Sequence, residues 1–164
     1  AGPRFAAIGA VDETNSAIGV ARLDAPTFQS DFDFDAMLGR IQNDLFDLGA
    51  DLAMPGEKQG ALRIVPAQVE RLEREIDAMN GGLAPLTSFV LPGGTALAAH
   101  LHVARATARR AERDLVMLAE AQTVNPAALQ YLNRLSDHLF VMARAANDAG
   151  MGDVRWGPGA TRDL

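Results

Sequence analysis

The chain has 164 residues, 48% of them apolar, which is enough for one domain with a real core and too much for a disordered chain. Fifteen basic against 21 acidic residues leave a net charge of −6, which argues against a general nucleic-acid binder. The absence of Cys excludes disulfides, thiolate zinc sites, Fe–S clusters and Cys nucleophiles, and no apolar run approaches the ~18 residues that suggest a membrane span.

Spacings of three and four residues predict five helices in chain order. The first spans roughly Ile8 to Arg22, with Ile8, Val11, Asn15 and Ile18 on one face; Asp12, Glu13, Asn15 and Ser16 cluster beside Gly9, where acids suit a first helical turn. The second spans Phe34 to Ala53, where Leu38, Ile41, Leu45, Leu48 and Leu52 make a coiled-coil-like seam. A loop with Met54-Pro55-Gly56, Lys58 and Gly60 follows. The third helix starts near Pro66, carries Val69, Leu72, Ile76 and Met79, and stops at Asn80-Gly81-Gly82. Residues 81–94 form a linker too apolar for a solvated loop, so Phe89, Val90 and Leu91 are expected to be buried. The fourth helix spans Thr95 to Glu120. The fifth opens at Asn125-Pro126, a cap followed by Pro at the first helical position, and continues through Leu129, Leu132, Leu135, Leu139, Met142 and Ala146 to Gly150. The tail beyond carries Trp156, the one Trp of the chain. The sum is an all-α, up-and-down bundle in a single domain over residues 1–164. No export signal opens the sequence, so the expected location is the cytoplasm, with no nucleic-acid or membrane partner.

The fourth helix carries the densest chemistry. At about 100° per residue, Arg105, Arg109 and Glu112 lie within roughly 60° of one another, and the Leu97, Leu101, Ala104, Ala108 and Leu115 stripe lies roughly 80° away. Periodicity alone is satisfied by a solvated face with helix salt bridges. It is also satisfied by an anion site, because Arg105, Arg109, Arg110 and Arg113 concentrate positive charge in an acidic chain. The 15 basic residues are 14 Arg and Lys58, and Arg is the better bidentate partner of phosphate. On the fifth helix, Asn133, Asp137, Phe140 and Arg144 make a second stripe beside the core face. It reads as an interface or cleft, or as a plain Asp137–Arg144 or Asp137–Arg134 pair. His100 and His102 diverge on a helix and His138 stands alone, a weak metal signal. No phosphate-loop or dinucleotide-binding glycine pattern occurs, no Glu-x-x-His occurs, and Ser16, Ser30, Ser88 and Ser136 have no His–acid partnership readable from spacing.

Taken in order, six segments are not anonymous: Gly9–Gly19 (GAVDETNSAIG), Arg40–Ala53 (RIQNDLFDLGADLA), Ser88–Gly94 (SFVLPGG), Ala104–Arg113 (ARATARRAER), Asn133–Asp137 (NRLSD) and Leu139–Arg144 (LFVMAR). Together they closely resemble the PduO-type ATP:cob(I)alamin adenosyltransferases, over essentially the whole chain. The resemblance implies a five-helix bundle of the ferritin-like, cobalamin-adenosyltransferase-like kind. It also implies a homotrimer with active sites between subunits, and transfer of the 5′-deoxyadenosyl group of ATP, bound with Mg²⁺, to a corrinoid cobalt. Arg109, Arg110, Glu112, Arg113 and Asn133 fall where the family holds ATP, with Arg109 catalytic. Arg105 matches an Arg that pairs across the interface with the acid at Asp12. Phe89 matches the catalytic aromatic under the corrin, and Phe140 would help line that corrinoid pocket; Asp137 matches the pattern without a stated role. No protein side chain is expected to ligate a metal. The family's Gly/Thr-rich nucleotide-wrapping segment and the Lys after it would precede Ala1-Gly2-Pro3-Arg4, so the expectation is that this sequence omits that segment. Ile8 stands where the family often has an aromatic. An alternative reading is a non-catalytic trimeric corrinoid-binding or escort protein, and either reading admits an adenosylcobalamin-dependent client enzyme as partner.

Overall fold

Pro at the first helical position and small residues at the packing face decide how the bundle starts. In the computed structural model, which describes residues 2–164, helix α1 spans Pro3–Ala21 and so begins five residues before the periodic pattern does. Asp12, Glu13 and Ser16 therefore sit in mid-helix, exposed, and not in a first turn as the sequence suggested. A short 3₁₀ turn, Ala25–Thr27, leads to α2 at Phe34–Ala53, whose Asp33 carboxylate accepts from Ala36 N at 3.0 Å. Helix α3 spans Pro66–Asn80, and the Gln68 amide oxygen accepts from Val65 N at 3.0 Å. Helix α4, Ala96–Ala121, is capped by Thr95, and α5, Pro126–Ala145, by Asn125.

The five helices share one core. Helix α1 packs most extensively on α4, α4 on α5, α3 on α5, and α1 on α2. Alanines make the α1–α4 contact close: Ala7 and Ala10 on one helix and Ala104, Ala108 and Ala111 on the other are buried. The predicted stripes hold, since Leu38, Ile41, Leu45, Leu48 and Leu52 on α2 and Leu132, Leu135, Leu139 and Met142 on α5 are all buried. Each such side chain contributes about 1.5–3 kcal/mol of burial free energy. No described helix is long and apolar enough to cross a membrane.

Two departures from the periodic reading shape the site. First, α5 ends at Ala145, not Gly150. Asp148, Ala149 and Gly150 then take φ values of 53°, 51° and 87°, three left-handed residues in succession that turn the chain back. Second, residues 90–91 form strand β1, which pairs antiparallel with strand β2 at Val154–Arg155 in the register Val90↔Arg155 and Leu91↔Val154. The linker is thus paired through its backbone, and the expectation that its apolar side chains are buried is wrong: Phe89 is 78% exposed, Leu91 is exposed and Val90 is half-buried.

Buried polar groups tie this end of the bundle together. Arg144 and Asp153 form an ion pair of 2.7 Å with both side chains more than nine-tenths buried, and Arg144 Nη2 also donates to Ala84 O at 2.7 Å. Asn147 Nδ2 donates to Gly93 O at 3.0 Å and its Oδ1 accepts from Thr95 N at 3.0 Å. Gly94, at φ +111°, lies so close that a Cβ there would overlap the Asn147 side chain.

Candidate active site

Helix α4 presents the arginine ridge on its outer side. Arg109 and Arg113 are exposed, and Arg105 is half-buried. None of the three pairs with a carboxylate among the described residues. Burial, with the adjacent Arg109 charge, lowers the Arg105 pKa from its ordinary value, which marks a guanidinium desolvated without a compensating anion in its own chain. Its Nε instead donates to His102 Nδ1 at 3.2 Å. Burial, followed by the Arg105 charge, lowers the His102 pKa, and because Nδ1 accepts from Arg105 the neutral ring carries its proton on Nε2. Arg109 and Arg113 are thus solvated but make no helix salt bridge among the described residues, and Arg105 is half-buried without one. Arg110 differs, turning toward α1 and pairing with Glu13 in an exposed contact between helices.

Glu112 and Asn133 come together across the α4–α5 groove, the Asn133 amide donating to Glu112 Oε2 at 2.7 Å. Arg134 Nη1 donates to Asn133 Oδ1 at 2.8 Å, and Arg134 Nε lies 3.6 Å from Glu73 Oε2. Neither intrahelical pair considered for Asp137 forms, because Arg144 is committed to Asp153 and Arg134 to Glu73; Asp137 is exposed. Phe140 is half-buried and meets His102 edge-on at 6.2 Å. Arg105, His102 and Phe140 thus form one contact chain from ridge to groove.

A second feature lies at the N-terminal end of α4. Continuing the β1–β2 register by one step sets Phe89 opposite Trp156, and Trp156 N donates to Phe89 O at 3.0 Å. With a period of two, Phe89, Leu91, Val154 and Trp156 share one face of the ribbon, and all four are exposed. Four exposed apolar side chains on one face have the character of a ligand surface. Asp12 lies elsewhere, on the rim of an apolar groove of about 540 Å³ between α1 and α2, with Phe5, Ile8, Asn15 and Phe46. Among the described residues it makes no ion pair and does not meet Arg105 of its own chain.

Sequence reasoning missed the polar network behind the groove. The Tyr131 hydroxyl donates to Asp44 Oδ2 at 2.7 Å, Gln68 Nε2 donates to Asp44 Oδ1 at 3.0 Å, and Arg71 pairs with Asp44. Burial, then Asp44, raises the Tyr131 pKa, which keeps it a donor. His138 does not stand alone: its Nε2 lies 2.8 Å from Glu75 Oε1 inside the bundle. Among the described residues no group of three His, Asp or Glu side chains converges to hold a metal ion.

Comparison with known proteins places this geometry in context. Residues 1–146 match the family profile described as Cobalamin adenosyltransferase. The corrinoid adenosyltransferase of Mycobacterium tuberculosis is 47% identical over 165 residues, covering 97% of this chain and 82% of its own length. The cobalamin adenosyltransferase of Cupriavidus metallidurans is 49% identical over 154 residues, covering 93% and 80% respectively. Among solved structures, a variant PduO-type ATP:corrinoid adenosyltransferase from Lactobacillus reuteri, complexed with cobalamin and ATP, superposes with a TM-score of 0.83 at 36% identity, covering 94% of this chain and 84% of that one.

Proposed function

Because the chain belongs to the cobalamin adenosyltransferase family, we propose that its α4 ridge and its Phe89 ledge hold the two substrates of an adenosyl transfer, ATP and a reduced corrinoid. The cobalt(I) electron pair attacks C5′ of ATP. A Co–C bond forms, the C5′–O bond breaks, and triphosphate departs with that bond's electrons. Cobalt(I) is itself the nucleophile, so the protein's tasks are to align C5′ with cobalt and to stabilise the charge gathering on the leaving group.

The observation that carries this reading is a ridge of arginines without acid partners on an acidic chain. Arg109 and Arg113 are free to meet triphosphate oxygens, and Arg110 can join them because its exposed pair with Glu13 is weak. Glu112 and Asn133 are hydrogen-bonded at the surface between α4 and α5 and offer an acceptor and an amide to the nucleoside. Arg105, desolvated and unpaired, calls for an anion from outside its own chain. Asp12 of a neighbouring copy would supply it, closing a homotrimer whose sites span two subunits. Phe89 supplies the apolar face on which a corrin ring would lie, with Phe140 as further lining. A ring there excludes the lower axial ligand, so cobalt becomes four-coordinate and easier to reduce. The reaction belongs in the cytoplasm, and its product suits an adenosylcobalamin-dependent enzyme.

The deciding experiment mixes the protein with MgATP and chemically reduced cob(I)alamin and follows the absorbance change to adenosylcobalamin. Turnover with one triphosphate released per product is expected. Corrinoid binding without turnover, with the nucleotide-wrapping segment present, would instead establish an escort.

A further inference from the structure

Phe89 is an exposed ring on a short ribbon, and such a side chain ordinarily samples several rotamers. A ring that must lie flat under a corrin needs a support. The structure provides one in the tail. The indole of Trp156 meets the Phe89 phenyl ring edge-on, with centroids 5.8 Å apart and planes at 64°. Trp156 N donates to Phe89 O at 3.0 Å. The support is itself anchored: three residues earlier, Asp153 is locked to Arg144 of α5 in a buried ion pair. Gly152 N donates to Asn147 O at 2.8 Å, and Asn147 holds Gly93, two residues past β1. Asp148 and Ala149, two non-glycine residues in the left-handed region, carry local strain that this anchoring must offset, a cost with no packing return elsewhere in the tail, whose residues 154–164 are exposed.

We infer that Trp156 is a positioning residue for Phe89: the tail returns to the linker in order to set the plane of the ring that faces the corrin. This rests on the reading of Phe89 given above. Trp156 touches neither reactant in this role and acts through its neighbour. Losing an edge-to-face contact of this kind corresponds to a rate effect of up to about tenfold.

The test uses the full chain as Trp156→Ala, Trp156→Phe and Phe89→Ala, each assayed with MgATP and cob(II)alamin plus a reductant. The readouts are kcat, the KM for ATP, the spectroscopic fraction of four-coordinate cob(II)alamin, and the melting temperature. Trp156→Ala is expected to lower kcat and the four-coordinate fraction together by up to about tenfold, with the KM for ATP unchanged. Trp156→Phe should recover most of both, because a phenyl edge replaces the indole edge. The parent four-coordinate fraction in Trp156→Ala would overturn the inference, and so would a Trp156→Phe variant as impaired as Trp156→Ala. If Phe89→Ala is slow and Trp156→Ala is not, the inference alone fails. If Phe89→Ala turns over at the parent rate, the reading of Phe89 fails and takes the inference with it.

Discussion

Substituting Arg144→Met isolates the buried pair that joins α5, the linker and the tail. The Asp153 carboxylate is only 3% exposed, and without the guanidinium its nearest donor is Asn147 Nδ2 at 3.4 Å. An uncompensated buried charge of this kind costs about 3–5 kcal/mol. At roughly 2–4 °C per kcal/mol for a chain of this length, the melting temperature should fall by roughly 6–20 °C. The double variant Arg144→Met/Asp153→Leu removes both charges and should recover all but about 1–2 kcal/mol, the residue of the lost bond to Ala84 O. Calorimetry measures the global loss, and Trp156 emission, from the one Trp of the chain, follows the tail directly. A single variant that melts within about 2 °C of the parent with unchanged emission would refute the reasoning, as would a double variant no more stable than the single.

Arg109→Ala should weaken ATP binding by roughly 10–100-fold, the loss of one charge-assisted contact, and leave the melting temperature unchanged because the side chain is exposed. Isothermal titration with MgATP measures it, and an unchanged affinity removes Arg109 from the nucleotide site. Asp12→Arg and Arg105→Asp should each shift the sedimentation profile toward monomer, and the two together should restore the parent profile; singles that sediment like the parent would dissolve the interface pair. Burial alone would raise the Glu75 pKa, but hydrogen bonds from His138 and Arg40 outweigh it and hold the group below the ordinary glutamate value. Its contribution is therefore full above the ordinary glutamate range and is lost as the pH falls toward the lowered value of the folded state. Urea midpoints between pH 6 and pH 3 should fall more steeply for the parent than for Glu75→Gln, and equal slopes would contradict the assignment.

Helical periodicity recovered what depends on one helix at a time. The bounds of α2, the Pro66 and Asn125-Pro126 starts, and the buried faces of α2, α4 and α5 follow from local spacing and capping chemistry. It missed what depends on two distant segments. Two-residue strands have no period to detect, and β1 finds its partner about sixty positions further on. Arg144 sits at helical spacing from Asp137, which made an intrahelical pair the natural expectation, yet the turn at 148–150 delivers Asp153 to it instead. The Asp44–Tyr131–Arg71 network shows the same limit, since each member belongs to a different helix. The ridge was readable as a concentration of Arg in an acidic chain, but spacing could not separate Arg110, paired with α1, from Arg109 and Arg113, which are not.

The ribbon that carries Phe89 has a consequence for how this chain can vary. Surface connections ordinarily accept insertions and deletions of any length. Here the side chains alternate between two faces, so a one-residue change within Phe89–Leu91 or within Val154–Trp156 would slip the register and turn Phe89 or Trp156 to the opposite face. A change of any length between Gly150 and Asp153 would pull Asp153 away from Arg144. Length polymorphism that Gly56 and its neighbours between α2 and α3 could absorb is therefore closed to both of these segments, and loop-length variation along this chain should be uneven for a reason of parity.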